Sequence, residues 1–194
     1  MKDNSLVVNF FGGPGSGKST AAAALFAELK IRQISCELVT EFAKDLTWED
    51  NRLALTVQPY VFGNQYYRMV RCAGKVDVII TDSPLLLPII HNTDARCGPQ
   101  FNAMAEAAYC SFNNLSFFLE RPELYESSGR RETEEEVERL AKDILHLAEK
   151  HNDAIIMVPC DAERNPLILS CVLERMRQEG VIGPDGPGDE DGRN

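Results

Sequence analysis

No stretch of this sequence stays apolar for the ~20 residues that a helix needs to cross a bilayer, so no membrane-spanning role is expected. The first nine residues, Met1 to Asn9, carry one Lys and one Asp before a short apolar run. They lack the charged start and small-residue cleavage site of a signal peptide. These two absences lead to an expected cytoplasmic location, the host cytoplasm if the chain is phage-encoded. CxxC pairs are missing too. Cys36, Cys72, Cys97, Cys110, Cys160 and Cys171 stand apart, with no His near them at zinc-finger spacing. Free thiols are therefore expected. His91, His146 and His151 are equally isolated, which argues against a metal cluster made of side chains alone. Positive charge is in deficit: 20 Lys and Arg stand against 30 Asp and Glu, for a formal charge of -10. Such a chain has no broad attraction to nucleic acid, and a role on DNA would need a local basic groove.

What remains is ordinary globular material. The chain has 194 residues, 44% hydrophobic and 26% charged, enough for one domain with a substantial core. That domain is expected over residues 1–179. Residues 180–194 are rich in Gly, Pro and Asp, with Asp185, Asp189, Glu190 and Asp191 crowded together, and read as a disordered acidic tail. Within the domain, strand and helix patterns alternate. Short apolar runs predict strands at 6–11, 35–40, 76–81, 115–119 and 154–158. Helical periodicity predicts helices at 18–31, 56–73, 101–110, 134–150 and 165–178. Strands separated by helices imply an α/β sandwich with a mostly parallel sheet, whose ligands sit beyond the carboxyl ends of the strands.

The run Gly12-Gly13-Pro14-Gly15-Ser16-Gly17-Lys18-Ser19 matches G-x-x-x-x-G-K-[ST] between the first predicted strand and helix. Glycines let the chain curl so that successive N–H groups point inward as an anion nest, and the helix N-terminus adds its dipole. The pattern makes Gly13, Gly15, Ser16, Gly17, Lys18, Ser19 and Thr20 the expected ATP contacts. Lys18 would reach the β- and γ-phosphates, Ser19 would ligate Mg²⁺, and Thr20 would lie near the α-phosphate.

Acidic residues at strand ends extend the site. Asp82 directly follows the third strand, where a magnesium-binding aspartate belongs; the alternative is a cap for the next helix, with Pro84 in its first turn. Glu41 follows the second strand and could accept a proton from an acceptor hydroxyl, or simply be a solvated strand-end carboxylate. Arg130 and Arg131 follow Arg121 in a polar loop after the fourth strand. They would either clamp phosphates from a mobile flap or balance the Glu-rich helix start. Gln58, Gln65 and Arg68 share a helix face that could contact the acceptor or face solvent. Tyr60, Phe62, Tyr66 and Tyr67 lie nearby and could stack on a planar acceptor or fill the core. Residues 159–163, after the fifth strand, occupy the usual position of adenine.

The runs Phe10 to Thr20, Thr40-Glu41-Phe42-Ala43-Lys44-Asp45, Gly63-Asn64-Gln65-Tyr66 and Thr81-Asp82-Ser83-Pro84 together resemble the P-loop kinase-type domain common in tailed phages, often labelled an AAA-type ATPase. They are also similar to the ribosylnicotinamide kinase domain of bacterial regulators of NAD biosynthesis. The resemblance spans residues 5–178. It implies a three-layer P-loop sandwich with a five-stranded sheet of order 2-3-1-4-5. It implies Glu41 as the base, Asp82 as the strand-three acidic residue, and Arg130 and Arg131 as lid arginines. Related phage kinases phosphorylate 5-hydroxymethyluracil within DNA. The sequence has no arginine-finger pattern, sensor motif or added helical domain, so a hexameric motor is not expected.

The leading expectation is phosphoryl transfer from ATP to a hydroxyl of a nucleoside-type acceptor. That acceptor is either a hydroxymethyl pyrimidine in phage DNA or a free nucleoside or nucleotide. The rival is a nucleotide-dependent ATPase or switch acting on a protein partner. Oligomeric state stays open, a homodimer included.

Overall fold

The computed structural model describes residues 5–121, 133–152 and 154–183. β1 (Leu6–Phe11) is six consecutive buried residues, LVVNFF, and such a run suits only a strand covered on both faces. It lies at the centre of a five-stranded sheet. β3 (Val78–Thr81) and β2 (Cys36–Val39) lie on one side of it, and β4 (Asn113–Leu119) and β5 (Ile156–Val158) on the other. The order is 2-3-1-4-5, and every pairing is parallel. The expected fold is thus present, with the sheet wholly rather than mostly parallel.

Alternation along β1 divides the core. Leu6, Val8 and Phe10 face α1 (Lys18–Ile31) and α8 (Arg164–Gln178), meeting Ala21, Leu25, Val172 and Met176. Val7 and Phe11 face the other layer, formed by α4 (Gln58–Val70), α6 (Gly98–Cys110) and α7 (Glu134–His151). Phe10 stacks on Phe117 at 5.6 Å between centroids, and Phe11 meets the edge of Tyr109 at 6.2 Å. The Tyr109 hydroxyl donates to Asn152 Oδ1 at 2.6 Å and lies 2.7 Å from Ser116 Oγ, tying α6, β4 and the end of α7 together. Burial pushes that phenol up to about 12.

Three helices escape the sequence pattern: α2 (Phe42–Trp48), α3 (Arg52–Thr56) and α5 (Leu87–His91). Each is seven residues or fewer, too short to display a 3.6-residue period. α2 and α3 fill the connection from β2 to α4. Among the described residues no helix is long and apolar enough to cross a membrane. The cysteines are free, with Cys36 and Cys72 buried and Cys110 and Cys160 exposed.

Candidate active site

The chain turns sharply after β1. Gly12, Gly15 and Gly17 take φ of 144°, 80° and 85°, values that side-chain-bearing residues rarely adopt. At Gly12 space is also closed: a Cβ there would stand 2.5 Å from Ser16 Oγ and 2.8 Å from the Leu119 carbonyl oxygen. Gly12→Ala is therefore expected to cost about 1–3 kcal/mol, visible as a lower urea midpoint.

The loop feeds a helix that does not cap itself. α1 begins at Gly17 with no side-chain cap and no acidic residue in its first turn. Its first helical bond runs from the Ala21 N–H to Gly17 O at 2.9 Å, leaving the preceding amides without a helical acceptor. α7 does the opposite. Thr133 and Glu136 form a reciprocal capping box, and Glu134, Glu135 and Glu136 occupy its first turn. At α1 the uncapped start follows the glycine loop directly.

Lys18 Nζ donates to the carbonyl oxygens of Gly12 at 2.9 Å and Gly13 at 3.1 Å, which holds the ammonium over the loop. Ser16 Oγ is buried without a hydrogen-bond partner among the described residues. Ser19 Oγ donates to Asp82 Oδ2 at 2.6 Å. These features fit a nucleoside triphosphate with magnesium. Amides and an ammonium suit phosphate oxygens, while a hydroxyl beside a carboxylate suits a hard cation. Among the described residues no group of three His, Cys, Asp or Glu could hold a metal alone.

Asp82 bridges two strand ends. Its Oδ1 accepts the Glu41 N–H at 2.9 Å while its Oδ2 takes the Ser19 hydroxyl. Helix capping, the alternative role, does not occur: α5 starts at Leu87, and the Ser83 N–H is met by Thr81 Oγ1 at 3.1 Å. Glu41 stands at the start of α2, half-buried at the end of β2. Burial raises its carboxyl above the ordinary glutamate range, and the Asp82 charge raises it further; Lys18 and Lys44 pull it back only partly. The sheet thus brings Lys18, Ser19, Glu41 and Asp82 to one edge.

The α4 residues do something other than expected. Gln65 is only 1% exposed, and both ends of its amide are engaged by the protein. Its Oε1 accepts the Phe42 N–H at 2.9 Å, and its Nε2 donates to Thr81 Oγ1 at 3.3 Å. Instead of presenting an amide to an acceptor, Gln65 ties the turn carrying Glu41 to the strand carrying Asp82. Gln65→Leu would leave the Phe42 N–H without its partner. It should lower unfolding free energy by about 1–3 kcal/mol in a denaturant titration. Gln58 is also buried, and its Nε2 donates to Leu55 O at 2.8 Å. Arg68 pairs with Asp45, lies 5.0 Å from the centre of the Phe42 ring, and reaches Thr40 O at 3.4 Å. All three brace the path from β2 into α4.

Arg130 and Arg131 lie outside the described residues. Arg121 lines a cleft of about 480 Å³ with Gly13, Leu119, Glu134 and Val137, and its Nη2 is 3.8 Å from Glu134 Oε1. Arg164 escaped the sequence reading altogether. It stands 148 positions beyond the loop and reaches Ser16 O. No local motif marks it; only the juxtaposition of α8 with the loop does.

Solved structures that share this architecture include two kinases. A thymidylate kinase from Candida albicans aligns with a TM-score of 0.51 at 14% identity, covering 91% of this chain and 93% of that one. An APS kinase from Mycobacterium tuberculosis, solved with AMPPNP and APS, aligns with a TM-score of 0.51 at 13% identity, covering 87% and 96%. At such identities the likeness speaks for the fold alone. No curated protein sequence matches the chain. A family model does: that of the AAA domain AAA_28 matches residues 7–164, and the chain belongs to that family.

Proposed function

We propose that this protein is an ATP- and magnesium-dependent phosphotransferase that moves the γ-phosphate to a hydroxyl of a nucleoside-type acceptor. One observation carries the reading. Glu41 follows β2 with its main-chain N–H on Asp82 Oδ1, while Asp82 Oδ2 holds the Ser19 hydroxyl at the phosphate loop, so a second acidic residue stands at the site. A nucleotide-dependent switch needs the loop and Asp82. A second carboxylate would serve either to take a proton from an alcohol or to activate water, and the label-transfer experiment separates the two.

In the proposed reaction Glu41 accepts the acceptor hydroxyl's proton as that oxygen bonds to the γ-phosphorus. The bond from phosphorus to the β,γ-bridging oxygen breaks, and ADP leaves with its electrons. Lys18 and the open amides of α1 hold the phosphate oxygens as charge shifts toward the leaving group. Magnesium, when bound, would neutralise charge shared between phosphate oxygens. Ser19 and Asp82 would hold it from this chain.

The acceptor is a hydroxymethyl pyrimidine in phage DNA or a free nucleoside or nucleotide. An aromatic surface supports a planar acceptor: Phe42, next to Glu41, meets the exposed Tyr60 edge-on at 5.6 Å. The acidic balance of the chain favours the free acceptor. The resemblance to phage kinase domains keeps the DNA acceptor in the panel, with its base turned out of the stack. The test is label transfer from γ-labelled ATP to nucleosides, nucleotides, nicotinamide riboside, and DNA with and without 5-hydroxymethyluracil. Label in one class identifies the acceptor. Label in none, with steady release of free phosphate, overturns the kinase reading in favour of a switch or ATPase.

A further inference from the structure

Arg164 opens α8, and its guanidinium is held by three carbonyl oxygens from three separate connections. Nη1 donates to Ser16 O in the phosphate loop at 2.8 Å. Nη2 donates to Glu120 O, just past β4, at 2.6 Å. Nε donates to Pro159 O, just past β5, at 3.0 Å. A guanidinium is planar and permanently charged, with its donors in a fixed fork. Three carbonyls held in that fork cannot rotate independently.

The contact with Ser16 has a specific consequence. The Ser16–Gly17 peptide is trans, so its C=O and N–H point in opposite directions. With the Ser16 oxygen drawn toward Arg164, the Gly17 N–H is turned to the other side of the peptide plane. Gly17 has φ of 85° and could let this peptide rotate at little cost, since no Cβ opposes the motion. A rotation would replace an inward N–H with an inward carbonyl oxygen, which repels phosphate. Gly17 is also the residue whose Cβ would stand 2.9 Å from Arg164 Nη1. The same glycine that makes the turn leaves room for the guanidinium that fixes it.

We infer that Arg164 is a positioning residue for nucleotide binding. It locks the Ser16–Gly17 peptide with its N–H toward the phosphates and ties the loop to the ends of β4 and β5. This rests on the reading that the loop binds phosphates, and it extends that reading to a residue far away in sequence. A cation held only for charge would work equally well as lysine. A peptide lock would not, because an ammonium cannot present the planar fork to three carbonyls.

The test uses inorganic tripolyphosphate and ADP as probes, with calorimetric affinities for the wild-type chain, Arg164→Lys and Arg164→Ala. Thermal midpoints are measured in parallel, and the Gly17 amide is followed by NMR. Both variants should weaken tripolyphosphate about tenfold or more, the scale of one lost hydrogen bond to a charged group. Millimolar guanidinium should restore part of the loss in Arg164→Ala. The downfield shift of the Gly17 amide on tripolyphosphate addition should appear in the wild type and vanish in the variants. Variants that stay folded and bind within twofold of wild type overturn the inference, as does full affinity in Arg164→Lys. Affinity that falls only in step with the folded fraction shows a scaffold role and also overturns it. A wild-type chain that binds neither probe removes the phosphate reading itself, and the inference with it.

Discussion

Glu41→Gln should lower kcat about 10²–10⁴-fold, the range of a well-placed general base, while ATP affinity stays at the wild-type value. The amide is close to isosteric with the carboxylate but cannot accept a proton from the acceptor. The Glu41 N–H bond to Asp82 Oδ1 is main-chain and survives the substitution. The variant should be no less stable, because the carboxylate is held against burial and the Asp82 charge, both of which disfavour its ionised form. The sign can be checked by pH. A carboxyl whose folded pKa is raised disfavours folding as pH rises through the interval between its unfolded and folded values. The stability difference between variant and wild type should therefore open as pH increases through that interval. The wild-type rate should rise with pH over a limb above the ordinary glutamate range, and Glu41→Gln should lose that limb. Measured kcat within threefold of wild type with an unchanged pH limb would remove Glu41 from the chemistry.

The second large effect is Lys18→Ala. Its ammonium is held over the loop by the Gly12 and Gly13 carbonyls, where it would meet the β- and γ-phosphates. Removal takes away a preorganised cation at the point where charge develops. The expected loss is about 10²–10³-fold in kcat/KM. ATP should also bind more weakly, and ADP should follow it in part. The Gly12 and Gly13 oxygens belong to buried residues and lose their donor, so the variant should also melt somewhat lower while still folding. Calorimetry with ATP and a far-UV thermal melt separate the two. Unchanged ATP affinity and turnover in a folded variant would mean that the triphosphate does not lie in this loop.

The acidic half of the site resembles a small frame more than a row of independent ligands. Gln65 joins the turn after β2 to Thr81 at the end of β3. Asp82, the next residue, accepts the Glu41 amide and the Ser19 hydroxyl. Displacing one member moves the others, so Gln65→Leu should depress turnover as well as stability. The sequence lists Gln65 as a polar residue on a helix face. Whether that face meets a ligand or a neighbouring turn depends on how α2 is laid down. α2 is seven residues long and begins at Phe42. Sequence periodicity has no purchase on so short a helix, so it does not reveal that Gln65 closes on the start of α2.

By itself the sequence determined the sheet and the phosphate loop. Buried parallel strands are continuous apolar runs, and a glycine-rich turn before a lysine and a hydroxyl leaves few other structures available. It also placed Asp82 and Glu41 at strand ends, because in a parallel sheet the ends of neighbouring strands fall on one edge. Tertiary structure alone decided which polar groups remain open to a ligand. Asp82 holds a hydroxyl and an amide, Gln65 is closed on both sides, and Arg164 crosses 148 positions to reach Ser16. Such partnerships arise from packing between elements distant in the chain. Hydrogen bonding requires a few ångströms and a direction, and neither is written in the order of residues.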